Sequence, residues 1–419
     1  MSKATTKKLL IVFFVLETLC ATYALLFAPV VPIASIVYPL SGLAVAALVL
    51  FLPQAKQSFS VQANAHHLPS LSFRIMAVII MCVELFHFSN TWISDAPLDF
   101  HDADMLPIMK IMCERFLSGH WGQVYDTIPE IWNGIRPVYL PAMWMPFSAG
   151  VAAGFDLRWV TAICLALTFI IFIFVFHPTH QKKNSPYIIA TAFVLFWWLS
   201  VQNAHGLIPY TEEGVVIFYY VILTLALLNG NIWFIGIGIS VCALSRYALI
   251  GWLLPFVLLL LHEKKYRSIV KLVLIGTVAF LLLMMLPFGW APFQRLLSLP
   301  NQYIEFGLRV WKDSPIVFSS SLGLAKFFGP KHILLQHRLL IGLTFVVPLL
   351  FMLMVLWLKS KKNYSINNIG LATFKLSLVV FYNLIDVPYL YLFYTSSFVS
   401  LIMVGYFISL HDKEIGPTS

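Results

Sequence analysis

Apolar positions in this chain come in long runs, and polar positions fall between them. Runs of roughly 20 residues with little charge alternate with short polar links, the pattern of helices that cross a bilayer. It predicts spans at roughly 8–28, 31–53, 73–93, 138–155, 157–177, 187–201, 214–229, 231–261, 268–288, 338–358, 370–386 and 388–410, about 12 in all (11–13). The expected fold class is an all-α polytopic membrane protein with one integral membrane domain over 1–419. Backbone groups in lipid must bond internally, which favours helices, and the alternating pattern of a membrane β-barrel is absent. Two polar interruptions, 94–137 and 289–337, are far longer than the other links; long loops in a compact bundle usually carry function.

Short basic clusters set the expected orientation. Lys3, Lys7 and Lys8 belong inside, as do Lys264, Lys265 and Arg267, and Lys359, Lys361 and Lys362. Both long loops are then external. The middle stays open. If 138–155 crosses fully, Lys182 and Lys183 fall outside and 231–261 is one helix. If 138–155 only dips into the membrane, that pair is inside and 231–261 breaks near Arg246.

Composition sharpens this reading. The chain is 60% hydrophobic and 11% charged, about half the charge of a soluble domain. Its net charge of +9 is spread over inter-span clusters rather than one patch, so no nucleic-acid partner is expected. Four of the five cysteines lie in apolar runs and Cys113 alone in an external loop, so no disulfide is expected. No metal-ligand spacing occurs; His66-His67 is the nearest approach. The first apolar run is too long for a cleaved signal.

The first long loop carries "HDADMLPIMKIMCERFLSGHW", His101 to Trp121. Pro107 is tolerated in a first turn, which predicts a helix starting near Met105 with Asp104 at its N-cap. Met105, Ile108, Met109, Met112 and Phe116 then share an apolar face, Lys110 and Glu114 another, and Gly119 stops the helix. An amphipathic juxtamembrane helix is the expectation. "RPVYLPAMWMPF", Arg136 to Phe147, follows, with three prolines before the next span.

These residues resemble the first external loop of the membrane-embedded C-type glycosyltransferases. Asp104, Gly119 and Trp121, then Tyr139, Pro141 and Pro146, fit an acidic helix start, an "SG-x-W"-like turn and a "Y-x-P…P" entry. "CALSRYALIGWLLP", Cys242 to Pro255, is similar to a small-residue run, a basic residue and a proline helix in that family. The likeness covers about residues 73–290 as layout and about 50 residues as motif. It departs at Met105, where many members have a second acid; here Asp102 precedes instead.

The resemblance implies transfer of a sugar from a polyprenyl-phosphate donor to a lipid or surface-glycan acceptor, with inversion, on the outer membrane face. It assigns Asp104 as base, with Asp102 as alternate. Such displacement needs a carboxylate at the acceptor hydroxyl and cations at the leaving phosphate. Arg246, Arg136 and Lys110 are the donor-phosphate candidates, with Arg309 and Lys312 behind them. Arg246 stands out because an arginine inside an apolar run is expensive. Glu212, Glu213, Tyr303, Trp311 and Arg309 are candidates for sugar or acceptor contacts. The bland alternatives are N-cap for Asp104, interfacial break for Arg246, snorkelling anchor for Arg136, an i,i+4 pair with Glu114 for Lys110, and helix-start charge for Glu212 and Glu213. For the second loop the alternative is a membrane-surface helix. No cofactor is required, though a divalent metal is compatible. A bacterial inner membrane, with membrane lipids as partners, is the expected setting. A polymerase or ligase of lipid-linked polysaccharide is the competing enzyme reading. A multi-span transporter is disfavoured because no repeat is visible and most charge lies at span ends.

Overall fold

The computed structural model describes residues 3–23, 30–52, 68–132, 134–175, 206–359 and 364–409. The expected span at 187–201, Lys182-Lys183 and His66-His67 lie outside these residues. Among the described residues the fold is all helical, with one isolated β-bridge between Ile128 and Ile135. In chain order the main helices are α1 Lys3–Tyr23, α2 Val31–Val49, α3 Leu68–Asp95, α4 Met105–Leu117, α5 Arg158–Val175, α6 Glu213–Asn229, α7 Ile232–Ala243, α8 Ile250–His262, α9 Tyr266–Phe280, α10 Trp290–Asp313, α11 Ile333–Lys359, α12 Ile366–Leu384 and α13 Phe393–Ser409.

Five described helices are long and apolar enough to cross a membrane: Val31–Val49, Leu71–Asp95, Tyr266–Phe288, Pro330–Leu358 and Leu390–Phe407. A sixth results if Pro141–Ala153 and Arg158–Phe174, which meet at 115°, count as one. The expectation was about 12. The difference lies partly in shorter helices: α7 has 12 residues, a rise of roughly 18 Å against a hydrocarbon core of about 30 Å. Lipid contact is nonetheless written on the surface. Ile79, Val83 and Phe86 of α3 and Val270, Val273 and Leu274 of α9 are exposed, as is Leu286 beyond α9. Apolar surface on this scale needs a lipid environment. The chain is membrane-embedded.

Two sequence ambiguities resolve as breaks. The 138–155 run is not one helix but short turns over Pro141–Trp144, Met145–Phe147 and Ser148–Ala153, as its prolines dictate. The 231–261 run breaks between α7 and α8, where Arg246 is extended at φ −152°, ψ 142°. The Leu244 carbonyl freed there accepts Ala142 N–H at 3.0 Å, docking the proline segment. A third break separates α12 from α13. Pro388 enforces an extended predecessor, and Gln336 Nε2 donates to the freed carbonyls of Leu384 (3.2 Å) and Ile385 (2.8 Å).

These breaks share one end of the bundle. Arg246, the start of α6, the start of α11 and the α12–α13 break all meet there through side-chain contacts. At the opposite end Asn368, opening α12, donates to Val49 and Leu52 carbonyls of the α2 terminus. Gly230, Lys265 and Ile366 line one cavity at that end. Lys264, Lys265 and Arg267 therefore lie opposite the breaks.

Candidate functional site

α4 forms as its sequence predicts. Ile108, Met109 and Met112 are buried, Met105 and Phe116 pack against the core, and Lys110 stands 3.9 Å from Glu114 on the exposed face. Gly119, at φ +81°, ends the helix, with His120 N–H reaching the Arg115 carbonyl at 2.9 Å. Arg115 then ties down the following loop through the carbonyls of Gln123, Asp126 and Thr127.

Asp104 occupies the N-cap position, yet its side chain makes no capping hydrogen bond. Its carboxyl is half-buried. Burial pushes its pKa up; hydrogen bonds from Trp132 and its own backbone oppose this, and the negative charge of Glu212 adds to the rise. Trp132 has φ +50°, an outlier for a bulky residue, and packs edge-on against Phe100 at 5.4 Å. Asp102 is exposed.

Opposite Asp104 lies a buried ionic trio. Arg246 Nη2 meets Glu212 Oε1 at 2.6 Å, and Nη1 meets Glu213 Oε2 at 2.8 Å. Thr395 donates a short hydrogen bond to Glu213 Oε1. Arg246 is thus engaged by two carboxylates, so it enters any phosphate contact already neutralised. Glu212 and Glu213 do stand at a helix start, as N-cap and first residue of α6, but both are buried. Tyrosines surround the group. Tyr139 lies in the field of Asp104 and Glu212, and Tyr303 in that of Arg246, Glu212 and Asp386. Tyr391 donates to Met105 Sδ at 3.1 Å, next to Asp104, and stacks on Tyr389 at 5.6 Å.

The remaining candidates lie apart from this cluster's direct contacts. Arg136 is exposed, with Nε donating to Thr127 Oγ1 at 3.2 Å. Lys110 has Glu114 as its ion partner. The second loop holds α10, whose Arg309 and Lys312 are exposed while Tyr303 turns inward. Trp311 is face to face with Phe318, centroids 3.8 Å apart at 8°, so one ring face is occupied. Cys113 is buried and free, as are Cys164 and Cys242, and Cys20 and Cys82 are free and partly buried. No cluster of three or more metal-ligating side chains occurs among the described residues.

Sequence reasoning missed three features. Trp132 carried no signal beyond its type. His337 and Asp386 form a buried pair at 2.6 Å across the α12–α13 break, and "DVP" was the only hint. Glu17 and Lys375 sit inside α1 and α12 and pair at 2.5 Å, fully buried. Lys375 also donates to the Ser396 carbonyl at 2.8 Å, and Ser400 donates to Glu17 Oε2 at 2.7 Å. Some charge is therefore buried inside the bundle, which weakens one of the two arguments against a transporter. No family model, curated protein or solved structure matches the chain.

Proposed function

We propose that the protein is a glycosyltransferase that moves a sugar from a polyprenyl-phosphate donor to a lipid or surface-glycan acceptor. The observation that carries this reading is Asp104. It is a half-buried carboxyl at a helix start, freed from capping, facing a buried Glu212–Glu213–Arg246 trio among tyrosines. A base with a raised pKa, beside groups suited to sugar hydroxyls, fits displacement at an anomeric carbon with inversion. Asp104 takes the acceptor proton. Glu212 and Glu213, fixed by Arg246, orient hydroxyls, and Tyr139 and Tyr303 offer aromatic and hydroxyl contacts. Asp102, exposed, is the weaker base. A divalent metal near Asp104 and Glu212 remains compatible with their charge.

On this reading α6 also crosses alongside the longer helices, while the shorter α7 and α8 lie in the bilayer and meet at the Arg246 break, and a total of about 12 spans remains the expectation. The basic clusters opposite the breaks support a site on the external face, and the reading takes the membrane to be a bacterial inner membrane. A transporter is the second reading, favoured by the Glu17–Lys375 pair inside the bundle. The deciding experiment is sugar transfer by purified protein from synthetic polyprenyl-phosphate sugars. Wild type transfers at least one sugar and Asp104→Asn none; equal transfer by Asp104→Asn defeats the assignment of the base. Flux of a lipid-linked glycan into proteoliposomes without any transfer favours the transporter.

A further inference from the structure

The α12–α13 break gathers buried acceptors that lack donors. Asp386 Oδ2 takes a hydrogen bond from His337 Nδ1 at 2.6 Å, and both residues are buried. Asp386 Oδ1, Gln336 Oε1 and Asn383 Oδ1 have no hydrogen-bond partner among the described residues, and all three side chains are buried. Buried polar atoms are nearly always paired, so three such oxygens at one helix end point to a ligand. The amide orientations are fixed by what their nitrogens do. Gln336 Nε2 donates to the Leu384 and Ile385 carbonyls, and Asn383 Nδ2 donates to the Val379 carbonyl at 2.8 Å. Turning either amide over would set oxygen against oxygen. The three oxygens flank the two carbonyls that end α12: Asn383 precedes them, Asp386 follows them and Gln336 bonds both. His337 Nε2 is unpartnered too, but it points away from the carboxylate and stays outside this group.

Charge points the same way. Asp386 stands two residues past the end of α12, at the negative end of that helix's dipole, and the last turn of α12 carries no basic residue. A neutral imidazole makes the Asp386 bond through Nδ1–H and then brings no positive charge. Lys326 belongs to the loop whose Leu324 N–H docks on the Asn383 carbonyl, but its ammonium bonds the Ser321 carbonyl. Arg309, Lys331, His332 and Arg338 are exposed. α10 and the second loop close over the break: a Cβ on Gly307 would stand 3.8 Å from Val387 Cγ2, and one on Gly323 2.7 Å from Pro388 Cβ. A carboxylate shut in at a helix C-terminus among other acceptors is costly unless a cation neutralises it.

We propose that the end of α12 is a binding site for a monovalent alkali cation, held by Asp386 Oδ1 and the amide oxygens of Gln336 and Asn383. The donor set decides the class. Oxygen-only ligands suit hard cations rather than zinc or copper. A single carboxylate balances one positive charge, so Ca2+ or Mg2+ would leave a buried excess and would call for further carboxylates. An anion would meet only acceptors. The cation ties the start of α11 to the end of α12 and offsets the cost of burying the acid. The site is independent of the transferase reading.

The test is binding of radiolabelled Na+ to the full-length protein in nanodiscs, at ionic strength held constant with N-methylglucamine, with K+, Li+ and Ca2+ as competitors. Wild type is expected to bind about one ion per chain saturably, and its thermal unfolding midpoint rises with Na+. Asp386→Asn weakens binding at least about tenfold and abolishes the Na+-dependent rise in midpoint. Gln336→Glu supplies a second carboxylate and shifts preference from Na+ to Ca2+, which a purely structural glutamine would not do; it serves also if Asp386→Asn fails to fold. Displacement by K+ or Li+ supports an alkali-cation site, whereas displacement from wild type by Ca2+ at concentrations far below that of Na+ overturns it. Absence of saturable Na+ binding to wild type overturns it outright and leaves water as the partner of the three oxygens. Unchanged binding in a folded Asp386→Asn, or binding lost in Asp104→Asn but kept in Asp386→Asn, overturns the assignment by placing the ion at other carboxylates. Unchanged selectivity in a folded Gln336→Glu removes Gln336 from the site and overturns the ligand set.

Discussion

Replacing Arg246 by methionine leaves the Glu212 and Glu213 carboxylates facing each other in a buried site. Each ion pair, at 2.6 and 2.8 Å between N and O, is worth roughly 6 kcal/mol gross at an effective dielectric near 20. The two acids repel one another across the guanidinium, so the trio nets about one pair, roughly 6 kcal/mol before desolvation. Arg246→Met removes both attractions and keeps the repulsion; breaking such a buried group costs about 3–5 kcal/mol after proton uptake relieves part of it. Glu213→Gln behaves differently. It removes one attraction and one repulsion together and retains the Thr395 hydrogen bond, so it costs under about 1 kcal/mol. Equilibrium unfolding by SDS in bicelles reads both values. The reasoning is refuted if Glu213→Gln destabilises as much as Arg246→Met, or if Arg246→Met is neutral. Combining Arg246→Met with Gln at both acids recovers most of the loss.

Three further outcomes follow from other contacts. Glu17→Ala strands the buried Lys375 ammonium and destabilises by about 3–5 kcal/mol, whereas Glu17→Met with Lys375→Met together costs clearly less; additive losses in the same unfolding assay would show the pair uncoupled. On the transferase reading Asp104 must be ionised to act as base, so kcat/KM falls as pH drops through its raised pKa. Removing the opposing hydrogen bond by Trp132→Phe moves this acid limb higher, and a limb that stays put or moves lower rejects the contact. The stability sign is opposite: the fold favours protonated Asp104, so its contribution is present at low pH and is lost as pH rises through the raised pKa. Finally, a Cβ on Gly214 would stand 2.6 Å from the Thr161 carbonyl, so Gly214→Ala pushes α6 off α5 and costs about 1–3 kcal/mol, read as a lowered unfolding midpoint.

Much of the fold was legible because lipid makes helix the default for any long apolar run. α4 was legible to the residue, since Pro107, the apolar spacing and Gly119 each constrain it locally. The kinked entry at Pro141 and the Arg246 break were visible as alternatives that residue counting left undecided; backbone satisfaction by Ala142 and Leu244 is a tertiary fact. The candidate site was only partly legible. Asp104, Glu212, Glu213 and Arg246 each signalled alone, but nothing in sequence distance announces that positions 34 residues apart pair at 2.6 Å. Glu17 and Lys375 hid inside apolar runs, where each was outweighed by its neighbours. His337 and Asp386 lay at span ends, where a single polar residue is ordinary.

The excess of acid over base at the break end has a bearing on turnover. A sugar-linked lipid phosphate is a diester carrying one negative charge, whereas the spent carrier is a monoester carrying about 1.5 to 2 near neutral pH. A chamber where three carboxylates face one guanidinium repels the second species more strongly than the first. On the proposed reading the exhausted carrier is expelled by the charge it acquires, and fresh donor enters against a weaker field. Net acidity then acts as an exit bias, and high ionic strength slows release of the spent lipid rather than its capture.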